Sequence, residues 1–450
     1  MRASQEPSVE QSEGAATGSY LANRDYVAFA TERGSSILLA DSSGVFSSPL
    51  SLADLNSEIG LGKFDSLLTE GRRAAKHREE EFAKVGAFAI RTISLAVSQS
   101  CNLGCTYCYA EQGSFGAKPS LMSDATICAS IDRLFEDTLP GESVSITFMG
   151  GEPFQNRRGI RLGVDHALTR SREKGVKVSF ATTTNATLLD EDDARFLEEH
   201  GFAVTVSIDG TEQQHNAQRP HKRGSGSFAE VSRGAKLLLS AASQMQVSAR
   251  VTVTPLNLDL EAGVEALRDL GFTDVGFSPL LSAPTGKGEM DEGSLDTLLE
   301  HMKRCGRRYL ASLSGGSPFP FSNMRSALQE IRRGARRFFP CGAGVAYLGV
   351  GATGEYSPCH RFVGDKSVPF GDVTTGVDRT RQREWIAARN VQYQEPCNSC
   401  WARFLCGGGC HYEVLRRGRV SCDYIRGWLM FCLYEYERLG ATRPELIDQL

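Results

Sequence analysis

From Ile93 onward, short β-branched runs alternate with longer segments whose apolar residues recur at helical spacing. The runs ISLAVSQ, SVSITFMG, VKVSFATTT, FAVTVSIDG, VSARVTVT and FTDVGFSPL read as strands. Between them, helical patterns cover Asp124 to Leu139, Arg161 to Lys174, Glu191 to His200, Ser227 to Ser240 and Leu260 to Leu270, and a sixth follows near Leu295 to Leu313. Six βα units in succession require a parallel sheet with right-handed crossovers. Six is short of a closed eight-stranded barrel, so the predicted fold is α/β, a partial (β/α)6 TIM-like barrel. Its site belongs at the carboxyl ends of the strands, where the connecting loops gather.

The flanks break this rhythm. Residues 1–19 are polar and aperiodic and read as a disordered tail. YVAFATER, SSILLAD and SSGVF then suggest a small meander, and Leu50 to Leu68 carries helical spacing. Residues 20–90 thus form an N-terminal strand-helix module, either a peptide-recognition element or a layer plugging one end of the main domain. The barrel takes 91–313. SGGSPFPF interrupts the pattern with Gly and Pro, marking 314–340 as a linker. Residues 341–439 are loop-rich and cysteine-dense and end in an apolar helix from Tyr424 to Leu439, with 440–450 as a tail.

Composition narrows the function classes. With 50 Lys+Arg against 54 Asp+Glu the formal net charge is −4, which argues against a nucleic-acid partner. At 41% hydrophobic and 23% charged residues the chain is an ordinary globular one. An apolar run of about 18 residues is lacking, and the opening is polar, so the expectation is a cytoplasmic protein with neither membrane partner nor signal peptide.

Thirteen cysteines change the picture. In reducing cytosol, clustered cysteines point to metal. Cys101, Cys105 and Cys108 form CxxxCxxC directly after the first strand, and eight more lie between Cys341 and Cys432. A structural zinc site needs a fourth protein ligand, whereas a four-iron four-sulfur cluster on three cysteines keeps one iron open. Zinc remains the competing metal. Further candidates follow at the strand ends. Gly150-Gly151-Glu152-Pro153 closes the second strand, with glycines that admit a ligand close to the backbone and an acceptor suited to an ammonium. Thr184-Asn185-Ala186-Thr187 follows the third, and Ser207-Ile208-Asp209-Gly210, with Arg219 downstream, follows the fourth.

Together these segments resemble the radical S-adenosylmethionine family, whose signature is CxxxCxxC with an aromatic residue, here Tyr107, before the last cysteine. The resemblance implies that Cys101, Cys105 and Cys108 hold a cluster whose open iron binds the methionine part of the cofactor, and that one-electron reduction then yields a 5′-deoxyadenosyl radical. It also implies that Gly150, Gly151 and Glu152 receive the cofactor amino group, while Asn185, Ser207, Asp209 and Arg219 contact the rest. Alanine at 186 departs from the family's glycine.

The distal cysteines read Cys341, twelve residues, Gly354, four residues and Cys359, then Cys397-x2-Cys400-x5-Cys406-x3-Cys410 and Cys422. This resembles the SPASM domain at every position, which implies two auxiliary clusters and three four-iron four-sulfur clusters in all. By that resemblance Cys397, Cys400, Cys406 and Cys422 form the outer site, and Cys341, Cys359 and Cys410 the inner one. Cys432 is either an eighth ligand or a buried thiol, and Cys128 and Cys305 read as structural.

Within that family the runs PCHRFVGDKSVPFGDV and CNSCWARFLCGGGCH resemble thioether-forming peptide maturases, including the six-cysteine-peptide and quinohemoprotein amine dehydrogenase types. The implied function is an oxidoreductase-type enzyme that abstracts hydrogen from a ribosomal peptide and forms intrapeptide thioethers, with flavodoxin or ferredoxin as reductant. His360 and Arg361 are the candidate base and anion contact. A carbon-carbon crosslinker would carry the same motifs. An anaerobic sulfatase-maturating enzyme is a further alternative, weakened because His360 stands where those enzymes typically have an aspartate. A non-catalytic electron-transfer protein ranks last, since the strand-end motifs have no purpose in it.

Overall fold

In a computed structural model, the described residues are 19–84, 88–315 and 319–448, and all but the last residue of the predicted tail at 1–19 lies outside them. The chain opens with β1 (Tyr20–Ala22), β2 (Tyr26–Thr31), β3 (Gly34–Leu39) and β4 (Gly44–Ser48), an antiparallel meander in sequence order. Helices α1 (Leu52–Gly60) and α2 (Asp65–Lys84) follow. Alternation along β2 and β3 gives this sheet two apolar faces. Tyr26, Ala28, Ile37 and Leu39 pack against Leu55 of α1, whereas Val27, Phe29 and Leu38 join the main core. The helical pattern at Leu50 to Leu68 resolves into two helices, and the second runs well past it. Residues 69–84 are rich in Ala, Glu, Lys and Arg, which favour helix through intrinsic propensity without an apolar stripe.

The main sheet is built from β5 (Thr92–Gln99), the two-residue β6 (Ser120–Leu121), β7 (Ser143–Gly150), β8 (Lys177–Thr184), β9 (Ala203–Ser207), β10 (Gln246–Val253) and β11 (Val275–Pro279). Between and after these strands lie α3 (Asp124–Glu136), α4 (Arg157–Lys174), α5 (Glu191–Glu199), α6 (Glu212–Gln218), α7 (Phe228–Ala241), α8 (Leu260–Asp269) and α9 (Glu292–Ser312). Strands β5, β7, β8, β9, β10 and β11 run parallel in that order, as six βα units require, and the sheet does not close. Outward residues such as Ile146, Phe148, Val204, Val206, Val251 and Val253 are buried under the helices. Inward positions are small or hydroxylated, among them Ser94, Thr147, Thr183, Thr205 and Ser278, which leaves a polar lumen at the strand ends.

Past residue 313 the predicted boundaries need correction. The segment read as a linker contains α10 (Ser322–Arg332), whose Met324, Leu328 and Ile331 are buried at helical spacing; the neighbouring Gly and Pro residues masked that stripe. The cysteine-dense region also contributes to the barrel sheet. β12 (Tyr347–Val350) pairs parallel with β5 and then antiparallel with β13 (Tyr356–Ser357). Four residues of YLGV are too short to stand out as a strand, yet they carry the sheet directly into the second cysteine region. Next come β14 (Gly371–Asp372), β15 (Gly376–Val377), α11 (Arg379–Arg389), α12 (Arg403–Cys406), α13 (His411–Arg417), α14 (Cys422–Thr442) and α15 (Pro444–Asp448). Of the residues 440–450 read as a terminal tail, those up to Thr442 finish α14 and Pro444–Asp448 form α15.

Candidate active site

The loop carrying Cys101, Cys105 and Cys108 leaves β5 at the mouth of the lumen and is clasped from the opposite side. Gly104 N–H donates to the Pro220 carbonyl (2.8 Å) and Thr106 N–H to that of Gln218 (2.9 Å). After β7 the chain turns tightly against this loop. A Cβ on Gly151 would sit 2.3 Å from the Ser100 carbonyl oxygen, and one on Gly113 would sit 2.7 Å from the Gly151 Cα, so the close approach requires both glycines.

These turns and the strand ends enclose a cavity of about 520 Å³, a size suited to a small-molecule ligand. Its walls include Cys101, Cys105, Cys108, Tyr107, Gly150, Gly151, Asn185, Ser207, Arg219, His360 and Arg361. Segments more than 250 residues apart in sequence meet here, because β12 carries the Cys359-His360-Arg361 turn alongside β5.

Two expected cofactor contacts stand behind the wall. Glu152 is fully buried, and its carboxylate accepts hydrogen bonds from Thr184 Oγ1 (2.7 Å), Asn185 N–H (2.7 Å) and Phe154 N–H (3.2 Å). Burial pushes its pKa up to about 7 against the lowering effect of those bonds. It organises the Asn185 turn from behind the cavity wall. Asp209 is likewise fully buried. It accepts from Tyr107 Oη (2.6 Å), Arg219 Nε (2.9 Å) and Thr252 N–H (3.0 Å), so it orients the two side chains that do face the cavity. Arg219, far from a surface residue, stacks over the Tyr107 ring at 5.3 Å. Asn185 donates to Asn102 Oδ1 (3.0 Å) and approaches Cys101 Sγ at 3.7 Å.

His360 Nδ1 lies 2.7 Å from Tyr347 Oη, and burial, assisted by the Arg361 cation, lowers its pKa to about 4. Arg361 pairs with Glu413 (2.6 Å) and sits between the rings of Tyr109 and Tyr412, at 5.3 and 4.5 Å. Tyr109, Tyr347, Glu413 and Arg250 were not read from the sequence as site residues. Tyr109 alone carried a signal, adjacency to Cys108; strand pairing brings in Tyr347 and Arg250, and α13 brings in Glu413, which pairs with Arg361.

The distal thiols divide into two groups. Cys397, Cys400, Cys406 and Cys422 line a separate cavity of about 250 Å³, whose wall also includes Ala22 and Asn23 of the N-terminal module. Cys359 lies close enough to Cys341 and Cys410 to feel both their charges. Cys432 joins neither group: it is fully buried on α14, with Sγ 3.8 Å from Met324 Sδ. Cys305 is buried on α9 and Cys128 half-buried on α3. Among the described residues, no three or more His, Cys, Asp or Glu side chains are disposed to hold a single metal ion. The thiols at the two sites that cavities mark line open space instead of converging on a point. Soft sulfur donors around a space larger than one ion suit iron-sulfur clusters.

Residues 95–281 match the radical SAM superfamily. The chain is 24% identical over 351 residues to a serine-type anaerobic sulfatase-maturating enzyme of Klebsiella aerogenes, covering 73% of this chain and 82% of that one. Its fold is similar to that of anSMEcpe with bound AdoMet and Kp18Cys peptide, at 21% identity and a TM-score of 0.64 over 80% of this chain and 100% of that one. It is also similar to Streptococcus suis SuiB bound to precursor peptide SuiA, at 13% identity and a TM-score of 0.52 over 88% and 96%. Among the described residues, no helix is long and apolar enough to cross a membrane.

Proposed function

Starting from the radical SAM domain formed by residues 95–281, we propose that this chain is a peptide maturase that joins a substrate carbon to a cysteine sulfur within the same peptide. Clusters bound by the cysteine groups, together with S-adenosylmethionine, would supply the one-electron chemistry that removes hydrogen from the substrate carbon. The remaining contributions come from the chain's own residues. Gly150 and Gly151 let a ligand reach the backbone beside the cysteine loop. Asn185, Ser207 and the Arg219-Asp209 pair present an amide, a hydroxyl and an oriented guanidinium to the polar parts of the cofactor. Tyr107 and Leu280 add apolar surface at the mouth. His360, held by the Tyr347 hydroxyl, is placed to take the proton that a substrate thiol loses. Overall the peptide loses two hydrogens: the carbon-bound one as a hydrogen atom to the cofactor chemistry and the sulfur-bound one as a proton to His360, so that forming the carbon-sulfur bond releases one electron, for which a cluster held by the distal thiols would be the acceptor.

One observation carries this reading. His360 and Arg361 directly follow Cys359, a thiol of the inner group, and line the same cavity as Cys101, Cys105 and Cys108. A peptide in that cavity is therefore within reach of both cysteine groups. Formylglycine formation on a sulfatase is the second reading, favoured by the similarity to the Klebsiella enzyme over most of both chains. The two differ in product. Co-expression with a cysteine-containing peptide encoded beside the gene should give a product that has lost two hydrogens and one alkylatable thiol. A hydrazide-reactive aldehyde in a sulfatase-derived peptide, with no thiol lost from the other, would replace the thioether reading with the sulfatase one.

A further inference from the structure

Three guanidinium groups line the reaction cavity: Arg219, Arg250 and Arg361. Two are already matched by carboxylates, Arg219 by Asp209 (2.9 Å) and Arg361 by Glu413 (2.6 Å). Arg250 has no carboxylate partner among the described residues. Its side chain makes one long hydrogen bond, 3.5 Å from Nη1 to Ser278 Oγ, at the outer limit of such an interaction. Asp274, the carboxylate whose charge reaches it, is bound by Arg325.

The position is built. On β10, Ala249, Val251 and Val253 are buried towards the helices, so alternation turns Arg250 into the lumen. Its register partners are Ser207 on β9 and Gly276 on β11. Ser207 already lines the cofactor side of the cavity, and Arg250 continues that layer one strand further round. A Cβ on Gly276 would lie 2.8 Å from Arg250 Nη1, so the glycine provides the space the guanidinium occupies. The side chain is exposed to the lumen, and the protein around it lowers its pKa by partial desolvation, opposed by Asp274. A guanidinium that is exposed on the lumen side and has no carboxylate of its own is available to an anion that enters the cavity.

We propose that Arg250 is the carboxylate-binding residue of the cavity, pairing with a carboxylate that enters with the reactants. That group is either the cofactor's own or an acidic side chain or C-terminus of the substrate peptide. The inference rests on the reading of this cavity as the reaction site.

The test uses reconstituted holoenzyme as wild type, Arg250→Gln and Arg250→Lys, with circular dichroism and iron content establishing that each is folded and loaded. Equilibrium binding is measured with S-adenosylmethionine and with its decarboxylated analogue. If the cofactor carboxylate is the partner, Arg250→Gln weakens S-adenosylmethionine by roughly tenfold to a hundredfold, Arg250→Lys recovers part of the loss, and the analogue binds all three proteins equally. If the partner belongs to the substrate, S-adenosylmethionine binds all three equally. Acetate titrated into the cofactor-loaded enzyme then shows carboxylate relaxation by the paramagnetic cluster in wild type and Arg250→Lys but not in Arg250→Gln. Equal cofactor affinity together with equal acetate relaxation in wild type and Arg250→Gln would overturn the inference. A wild type that binds no S-adenosylmethionine would overturn both the inference and the reading of the cavity beneath it.

Discussion

His215 shows how far a single buried side chain sets the conditions under which the site exists. It is fully buried; its Nδ1 accepts the Asp209 N–H (3.2 Å), and Nε2 lies 3.0 Å from Ser227 Oγ. Burial first, and the nearby Arg219 cation second, lower its pKa from 6.5 to about 3. The folded protein thus holds it neutral where the unfolded chain takes a proton. The stability this contributes is complete above 6.5 and declines as pH falls from 6.5 towards about 3, by up to about 1.4 kcal/mol per pH unit. Asn at 215 keeps an acceptor for Asp209 N–H and cannot titrate. Denaturation curves of wild type and His215→Asn should therefore converge as pH falls through that window, and a constant difference would show that His215 does not couple to it. Cys432 gives a second residue-scale test. With Sγ against Met324 Sδ and away from both thiol groups, Cys432→Ala should leave iron content unchanged and cost about 1 kcal/mol of stability through a small cavity. Cys359→Ala should lose iron from the inner group. Reduced iron in the Cys432 variant would make that thiol a ligand after all. The sequence exposed the thiol groups because cysteine chemistry depends on residue type and spacing. It did not show that Glu152 and Asp209 are fully buried, because nothing in a linear pattern distinguishes a carboxylate facing a cavity from one that braces the wall behind it.

At the scale of elements, the site depends on backbone segments approaching closely enough to exclude side chains. Gly151 lies flush against Ser100 and Gly113, and Gly234 on α7 lies against the Ala186 carbonyl, where a Cβ would be 2.0 Å from the oxygen. Gly151→Ala forces the turn after β7 away from the cysteine loop. Overpacking of this kind costs about 1–3 kcal/mol, which predicts S-adenosylmethionine binding weakened roughly tenfold to a hundredfold. The distal thiol groups, on other elements, should keep their iron. Calorimetric titration and iron analysis check both outcomes, and undiminished cofactor affinity would show that the close approach is not needed for binding. Ala186 adds a local departure. It takes φ +59, a conformation glycine adopts without strain, so the turn bearing Asn185 is held by its surroundings and not by its own preference. The six strands were legible because β-branched alternation and helical periodicity switch cleanly along the barrel. Helix α10 and strand β12 were not, since one is flanked by Gly and Pro and the other is four residues long, and each is stabilised by packing on distant elements.

At the scale of the whole molecule, the N-terminal module is tied to the outer thiol group as well as to the core. Arg403, between Cys400 and Cys406, is almost fully buried; its guanidinium pairs with Asp41 (2.5 Å) and donates to the carbonyls of Arg24 and Cys400. Across the module, Ser36 and Ser47 donate to Glu437 of α14 at 2.7 and 2.5 Å. Ala22 and Asn23 close the cavity that Cys397, Cys400, Cys406 and Cys422 line. The module therefore acts as a wall of the outer site, a role its sequence concealed because the tie is one arginine reaching across more than 350 residues. Removing a charged hydrogen-bonding group from such a junction costs about 2 kcal/mol and leaves Asp41 without its cation. Arg403→Ala should loosen the docking of the meander without unfolding the barrel. Amide exchange across Tyr26–Thr31 and Gly34–Leu39 should then accelerate, and alkylation of Cys400 and Cys406 in the metal-free protein should quicken. Exchange in β7 to β10 should stay as in wild type. S-adenosylmethionine binding should also be retained, because its cavity draws no residue from the module. Unchanged exchange in the meander would mean that its apolar face against the core, and not Arg403, holds the wall in place.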